Sequence, residues 1–194
     1  MAASELFEMV CRVPRAPIHP QGPHLITMAK ALHALGLTPS YGLGDHGNLS
    51  CRVGRGCLIS ARQTSKATLR EEQLALVTDA EREPSGWRVF YEGLALPSTD
   101  ALMHLAVYAQ RPEIGAVIHA HDDAVRSRTQ ALGLPITQLS ARVNSLELID
   151  EVQALCARHD YVILRDHGVI ALGSSLDAAQ ARLMDWYRRA RSAV

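Results

Sequence analysis

From Pro23 the apolar residues fall at helical spacing. Leu25, Ile26, Met28, Ala29, Leu32 and Leu35 recur every three or four positions and Gly36 supplies a stop, which predicts a helix. Residues 1–20 hold three prolines and little periodicity and are expected to be an irregular lead-in to a single domain over residues 21–194. The stretch SYGLGDHGNLS is rich in glycine and polar residues and reads as a loop. Leu49–Val53 and Cys57–Ser60 bracket Gly54 and Gly56 as a hairpin. Leu74–Thr78 and Trp87–Tyr91 read as two short strands around a turn at Pro84-Ser85-Gly86.

The second half changes rhythm. Pro97-Ser98-Thr99-Asp100 precedes a helix carrying Leu102, Leu105, Ala106 and Ala109, with capping residues before it and Pro112 after it. Gly115–His119 is a short β-type run, and a helix is expected from about Asp122. Ile136–Leu139 reads as a strand and Ser145–Ala157 as an amphipathic helix. Tyr161–Leu164 and Gly168–Ala171 read as strands separated by Arg165-Asp166-His167. Ser175–Arg191 is a helix capped by Ser174 or Ser175. Strands flanked by helices predict an α/β protein with its sheet between helical layers.

Composition narrows the class. A chain of 194 residues with 47% hydrophobic residues fits one domain with its own core. Twenty basic and twenty acidic residues cancel, so neither a nucleic-acid footprint nor a polybasic membrane anchor is expected; a small anionic substrate is compatible. Cys11, Cys51, Cys57 and Cys156 form no CxxC pair, which argues against a cysteine zinc site and for reduced thiols. The segment MAASELFEMVCRV lacks the pattern of a signal peptide, and no apolar run approaches the roughly 20 residues of a membrane span. A cytoplasmic protein is expected.

The candidate chemistry lies in histidines. In AVIHAHDD, His119 and His121 stand at i and i+2 at the end of an apolar strand, where alternate side chains share a side and both imidazoles can reach one ion. Asp122 and Asp123 follow and could accept hydrogen bonds from the rings. His167, in YVILRDHGVIALG, stands at a tight connection between two strands; alone it would read as a turn residue. Three neutral imidazoles suit Zn²⁺, with Mn²⁺, Fe²⁺, Co²⁺ and Ni²⁺ as competitors, and leave open coordination positions as in catalytic sites. His46, in a glycine-rich loop, is a candidate acid–base group. His19, His24 and His33 read as surface or loop residues, and His104 and His159 as helix residues.

These segments, in this order, resemble the class II aldolase and adducin family. GNLSCRV resembles its GN(I/L/F)S segment, LPSTDALMHLAVYAQRPEIGAVIHAH its long signature from a PSSE motif to HxH, and LRDHGVIALG its third-histidine motif. The resemblance implies a three-layer α/β/α fold with a central, mainly antiparallel sheet. It implies a divalent ion, usually zinc, on His119, His121 and His167, and a homotetramer with sites at subunit interfaces. It implies chemistry through a metal-held enediolate on small phosphorylated sugars or sugar acids. The expected function is a lyase acting by retro-aldol cleavage or decarboxylation. The alternatives are an epimerase, a dehydratase, an Fe²⁺-dependent oxygenase, or a non-catalytic adducin-like binding protein.

The departures from the pattern are specific. Asp100 stands where the PSSE motif has its glutamate; it serves as the acid–base group or as a first-turn helix acid. Where the family has a TPSG or TPTG turn, this chain has Ser60-Ala61-Arg62-Gln63, so Arg62 either clamps a carboxylate or phosphate or is a solvated loop residue. Asn48, Ser50, Ser98 and Thr99 match the family's substrate-binding positions, although the same residue types serve in turns and caps. The segment between His121 and His167 is shorter than in typical sugar-phosphate aldolases, and no counterpart of the family's C-terminal tail is expected.

Overall fold

Strands buried on both faces build the centre of the molecule. The structure, a computed structural model, describes residues 7–84, 86–140 and 145–192. The strands are β1 (Phe7–Val13), β2 (Asn48–Val53), β3 (Gly56–Ser60), β4 (Leu74–Glu83), β5 (Gly86–Glu92), β6 (Ala116–Ala120), β7 (Ile136–Ser140), β8 (Tyr161–Arg165) and β9 (Gly168–Gly173). The helices are α1 (Gly22–Ala34), α2 (Ala101–Gln110), α3 (Asp123–Ser127), α4 (Leu146–Cys156) and α5 (Leu176–Ser192). Among the described residues the strands form one sheet of order β1-β5-β4-β3-β2-β6-β9-β8-β7. Only β1 with β5 and β7 with β8 pair in parallel; the other neighbours are antiparallel.

Neighbouring residues on a strand serve opposite layers. Leu58, Ile118, Ile163 and Val169 pack with apolar residues of α1, α3 and α5. Ile59, Val117, Val162 and Ile170 pack with α2 and α4 on the other face. Covered on both sides, β3, β6 and β9 have no exposed residue, and their sequences are accordingly continuous apolar runs rather than alternating ones. The expected three-layer α/β/α architecture with a mainly antiparallel sheet is the one observed.

Several boundaries differ from expectation. Phe7–Val13, placed in an irregular lead-in, is an edge strand parallel to β5; its mixed burial gives no clean alternation to read. β4 extends to Glu83 because a register shift between Val77 and Asp79 absorbs the irregularity and lets pairing continue. Ser85 of the predicted turn lies outside the described residues. The helix expected after Asp122 is only five residues long. His24 and His33 both lie in α1, and His33, in its last turn, is hydrogen-bonded rather than idle. Ser175, of the two serines considered, caps α5, accepting from Ala178 N at 3.2 Å.

Arg52 locks the sheet to the end of α2. Its guanidinium donates to the carbonyls of Tyr108, Arg111 and Ile114, each at 2.7 Å, and lies 4.8 Å from the centre of the Tyr108 ring. Two of these acceptors, Tyr108 O and Arg111 O, lie at the C-terminus of α2, where a cation is favoured. Replacement Arg52→Met removes this donor from all three; of them, Arg111 O keeps a backbone donor, Ile114 N at 3.0 Å. The expected loss is about 3 kcal/mol, read as a lower urea midpoint at unchanged m-value.

Candidate active site

The end of β6 sets the position of three imidazoles. His119 is the penultimate residue of β6, paired with Asn48 of β2 on one side and Ile170 of β9 on the other. His121 follows the strand, its backbone N–H donating to Leu37 O at 2.8 Å. His167 sits in the tight β8–β9 connection, closed by its own N–H to Leu164 O at 3.1 Å, with Asp166 in the left-handed region at φ 60°. Gly168 makes the convergence possible. A Cβ there would stand 2.4 Å from Ala120 O and 2.8 Å from His119 Cε1.

The ligand atoms of His119, His121 and His167 lie within 4.8 Å of one another. The ring centroids are 4.5–5.1 Å apart. His119 Nδ1 is 3.1 Å from Val169 O, and since a carbonyl only accepts, Nδ1 carries the proton and Nε2 keeps its lone pair for the cluster. Burial, then repulsion from the other imidazoles, pushes the His121 pKa down to about 2. Burial, then His119, takes that of His167 to about 4. Both rings are therefore neutral at pH 7, the form a metal requires. His121 Nε2 is buried without a hydrogen-bond partner. A buried orphan nitrogen beside two convergent imidazoles is what a divalent ion would satisfy, so the donor set fits one.

Asp100 is the carboxylate of this cluster. It occupies the N-cap position of α2, yet its side chain caps nothing there; it accepts instead from Asn48 Nδ2 at 2.6 Å. Burial alone would raise its pKa, but His119, His104 and the Asn48 amide outweigh it and hold the carboxyl below its ordinary value. Ser98 steadies this turn by accepting from Asp100 N at 3.3 Å. Asn48, Ser98, Thr99, Asp100, Arg62, His46, His119 and His167 all line one cleft of about 270 Å³. A larger hollow of about 620 Å³, between α2, α4 and the β4–β5 hairpin, contains none of the histidines.

His46 enters from the loop before β2. Its ring centroid lies 4.6 Å from that of His121 and 4.6 Å from that of Tyr41. Burial and the neighbouring His119 lower its pKa. Arg62 lines the cleft with its Nε buried and unpartnered. The next residue, Gln63, takes φ 55°, a left-handed conformation at the place where the family's turn has glycine.

Two expectations about neighbouring residues are corrected. Ser50 does not line the cleft. It shares a strand face with Asn48 but lies deeper, completely buried under α2, with its hydroxyl 2.7 Å from both His104 Nδ1 and Tyr108 Oη. Asp122 and Asp123 do not orient the histidines. Asp122 caps α3 through Ala124 N and Val125 N and pairs with Arg191, while Asp123 pairs with Arg126. Val169 O performs the role assigned to them, because the β6–β9 pairing brings that carbonyl to His119.

Two charged residues of the cleft wall escaped the sequence reading, Asp45 and Lys66. The buried Asp45 carboxylate accepts from Ser40 Oγ, Ser65 Oγ and Lys66 N and lies 3.0 Å from His33 Nδ1. It therefore ties α1, the loop of Tyr41 and His46, and the turn of Arg62 into one wall. Lys66 is one of only two lysines in the chain, the other being Lys30, against eighteen arginines; that rarity was the available signal.

The chain matches the family described as Class II Aldolase and Adducin N-terminal domain over residues 23–194. It is 33% identical over 172 residues to a 5-methylthioribulose-1-phosphate/5-deoxyribulose-1-phosphate aldolase of Rhodospirillum rubrum, covering 80% of this chain and 72% of that protein. It is 24% identical over 159 residues to a 3-oxo-tetronate 4-phosphate decarboxylase of Pectobacterium atrosepticum, covering 72% and 69%. Among solved structures, YgbL of Klebsiella pneumoniae, described as a putative aldolase/epimerase/decarboxylase, superposes with TM-score 0.72 at 21% identity over 88% of this chain and 86% of that one. With this fold, this histidine cluster and these matches, the chain belongs to the class II aldolase and adducin family.

The Asp45 junction predicts an acid response. Burial opposes its ionised form, but its hydrogen bonds and His33 hold the pKa below the ordinary value of 3.8. A depressed carboxyl pKa stabilises the fold above the unfolded value and loses that contribution as pH falls through the folded one. Thermal melts from pH 7 to pH 2.5 are expected to show wild type losing an increment below about pH 4 that Asp45→Asn lacks, the variant already being weaker at pH 7 by roughly 1–3 kcal/mol.

Proposed function

We propose that this protein is a divalent-metal-dependent lyase that breaks a carbon–carbon bond next to a carbonyl, by retro-aldol cleavage or decarboxylation, in a small hydroxy or keto acid or a sugar phosphate. One observation carries the reading: three convergent imidazoles, two of them in the wall of one small cleft, stand with a part-buried carboxylate in that same wall whose pKa is held below its ordinary value. The names of the relatives, an aldolase and a decarboxylase acting on phosphorylated compounds, support the same class. The retained triad and its orphan nitrogen speak against a purely structural role.

His119, His121 and His167 would hold the ion, with zinc the first choice for three imidazoles. Bound there, a divalent ion supplies Lewis-acid polarisation of the carbonyl and stabilises the negative charge that develops as the bond breaks. The residues of this chain do the rest. Asp100, ionised at neutral pH, takes the hydroxyl proton in a retro-aldol cleavage and returns a proton to carbon. Asn48 aims that carboxylate through its amide N–H. His46, neutral and clamped between Tyr41 and His121, is a second proton-transfer group. Ser98 and Thr99 position the substrate from the start of α2, and Arg62 binds its anionic end. We further propose an oligomer, a tetramer by family resemblance.

Protein purified without added metal is expected to carry about one equivalent of zinc, manganese or iron per chain. The double variant His119→Ala/His121→Ala should carry none. Failure of wild type to take up any supplied divalent ion would overturn the reading.

The acid–base assignment has its own test. On a substrate found by screening sugar phosphates and hydroxy acids, Asp100→Asn should lower kcat by roughly a hundredfold or more at unchanged metal content. An Asp100→Asn enzyme with full turnover would return Asp100 to the role of a helix-terminal acid.

A further inference from the structure

Lys66 is an under-solvated cation in the wall of a cleft. The residue is 1% exposed and lines the same cleft as His119 and His167. Its Nζ donates only to Thr64 O at 3.3 Å and Thr64 Oγ1 at 3.4 Å, both long for an N–H···O bond. An ammonium has three protons to place. Asp45 lies near enough to favour the charge, but both its oxygens are engaged by Ser40, Ser65, Lys66 N and His33. Among the described residues, no carboxylate oxygen forms an ion pair with Lys66 Nζ. A charge in this position is costly to bury without a partner. Desolvation, partly offset by Asp45, accordingly lowers the Lys66 pKa to about 8.

The residue four positions earlier shows the same deficit. Arg62 Nε is buried and unpartnered in the same cleft wall. Two cations short of acceptors, on one turn and facing one cleft, call for an anion. The turn itself explains why side chains are used. Gln63 takes the left-handed conformation with a side chain attached, and the cationic donors flank it at positions 62 and 66.

We propose that Lys66 is an anion-binding residue of this cleft, acting with Arg62 on the phosphate or carboxylate end of the substrate. The proposal rests on the lyase reading only for what occupies the rest of the cleft. Phosphate and carboxylate share the chemistry that matters here, oxygen acceptors of negative charge. Of the two cations, Arg62 supplies a planar fork and Lys66 a compact point charge. An anion in contact with Nζ would complete its solvation and raise its pKa again.

Only two lysines make the test direct. Metal-loaded protein carrying ¹³C at lysine Cε gives two side-chain signals, assigned with Lys66→Met. Inorganic phosphate and, separately, malonate are titrated in at pH 7.5. At least one of them should shift the Lys66 signal saturably and raise its titration midpoint above about 8, leaving Lys30 unmoved. Which probe does so identifies the anion class. By calorimetry, Lys66→Met should weaken binding of that probe about tenfold, and Lys66→Arg should restore part of it. If neither probe moves Lys66, or if Lys66→Met binds both as wild type does, the proposal is overturned. Should Lys66→Met not fold, the Lys66→Arg and wild-type titrations decide the matter alone. Metal content measured on the same samples separates the two readings. A metal-loaded cleft with a silent Lys66 sinks this inference and spares the lyase; a responsive Lys66 in protein that takes up no metal does the reverse.

Discussion

The antiparallel pairing of β6 with β2 on one side and β9 on the other is the constraint on which the site depends. Ladder registers are set by hydrogen bonds and by which face is buried, and slipping one residue would exchange the two faces. Here the register sets Asn48 opposite His119, and Ala120 opposite Val169, two residues after His167. Three sequence segments far apart in the chain thus meet at one end of the sheet. The core holds the register: Val117 and Ile118 commit to opposite helical layers, so β6 cannot slide without burying imidazole in the core.

The cost of this convergence is electrostatic. Burial and mutual repulsion keep His121 and His167 uncharged, while desolvation of the Asp100 carboxylate is outweighed by His119, His104 and the Asn48 amide, which hold its pKa below the ordinary value. The arrangement places uncharged imidazoles beside a charged carboxylate in one small volume, the combination that the proposed metal site and base would need. Asp100 is informative through what it does not do. An aspartate at a helix N-cap ordinarily accepts from the first-turn N–H groups. This one forgoes that stabilisation and turns to Asn48, so its position answers to the cleft rather than to the helix.

The sequence disclosed the parts of this site that follow a short-range rule. Period-two alternation put His119 and His121 on one side of a strand, and the polar break between two apolar runs put His167 at a turn. Ser50 obeyed the same rule and was still misjudged, because alternation gives the face of a strand and not its depth under a helix; α2 covers Ser50 with His104 and Tyr108. Asp122 was misjudged because its nearest claims, the α3 N–H groups and Arg191, are stronger than the distant rings. Asp45 and Lys66 were missed because they are 21 residues apart in a loop and a turn, with no periodicity to relate them. Phe7–Val13 was missed because a half-exposed edge strand carries a weak pattern and finds its partner nearly eighty residues away.

The Asp45–Lys66 junction gives the two walls of the cleft different mechanical characters. The histidine side is held by the sheet, whose opening would require breaking ladder hydrogen bonds of the buried strand β6. The opposite wall is built of loop and turn, and its stiffness comes from one carboxylate gathering donors from α1, residues 40–46 and residues 64–66. A metal site tolerates little displacement, and a strand end supplies that rigidity. The proposed anion site would have to admit and release its ligand, and a loop wall with a single hub can adjust as a unit. The division of labour follows from where polar residues can sit in an α/β sandwich: at the ends of strands, or in the connections that pass over them.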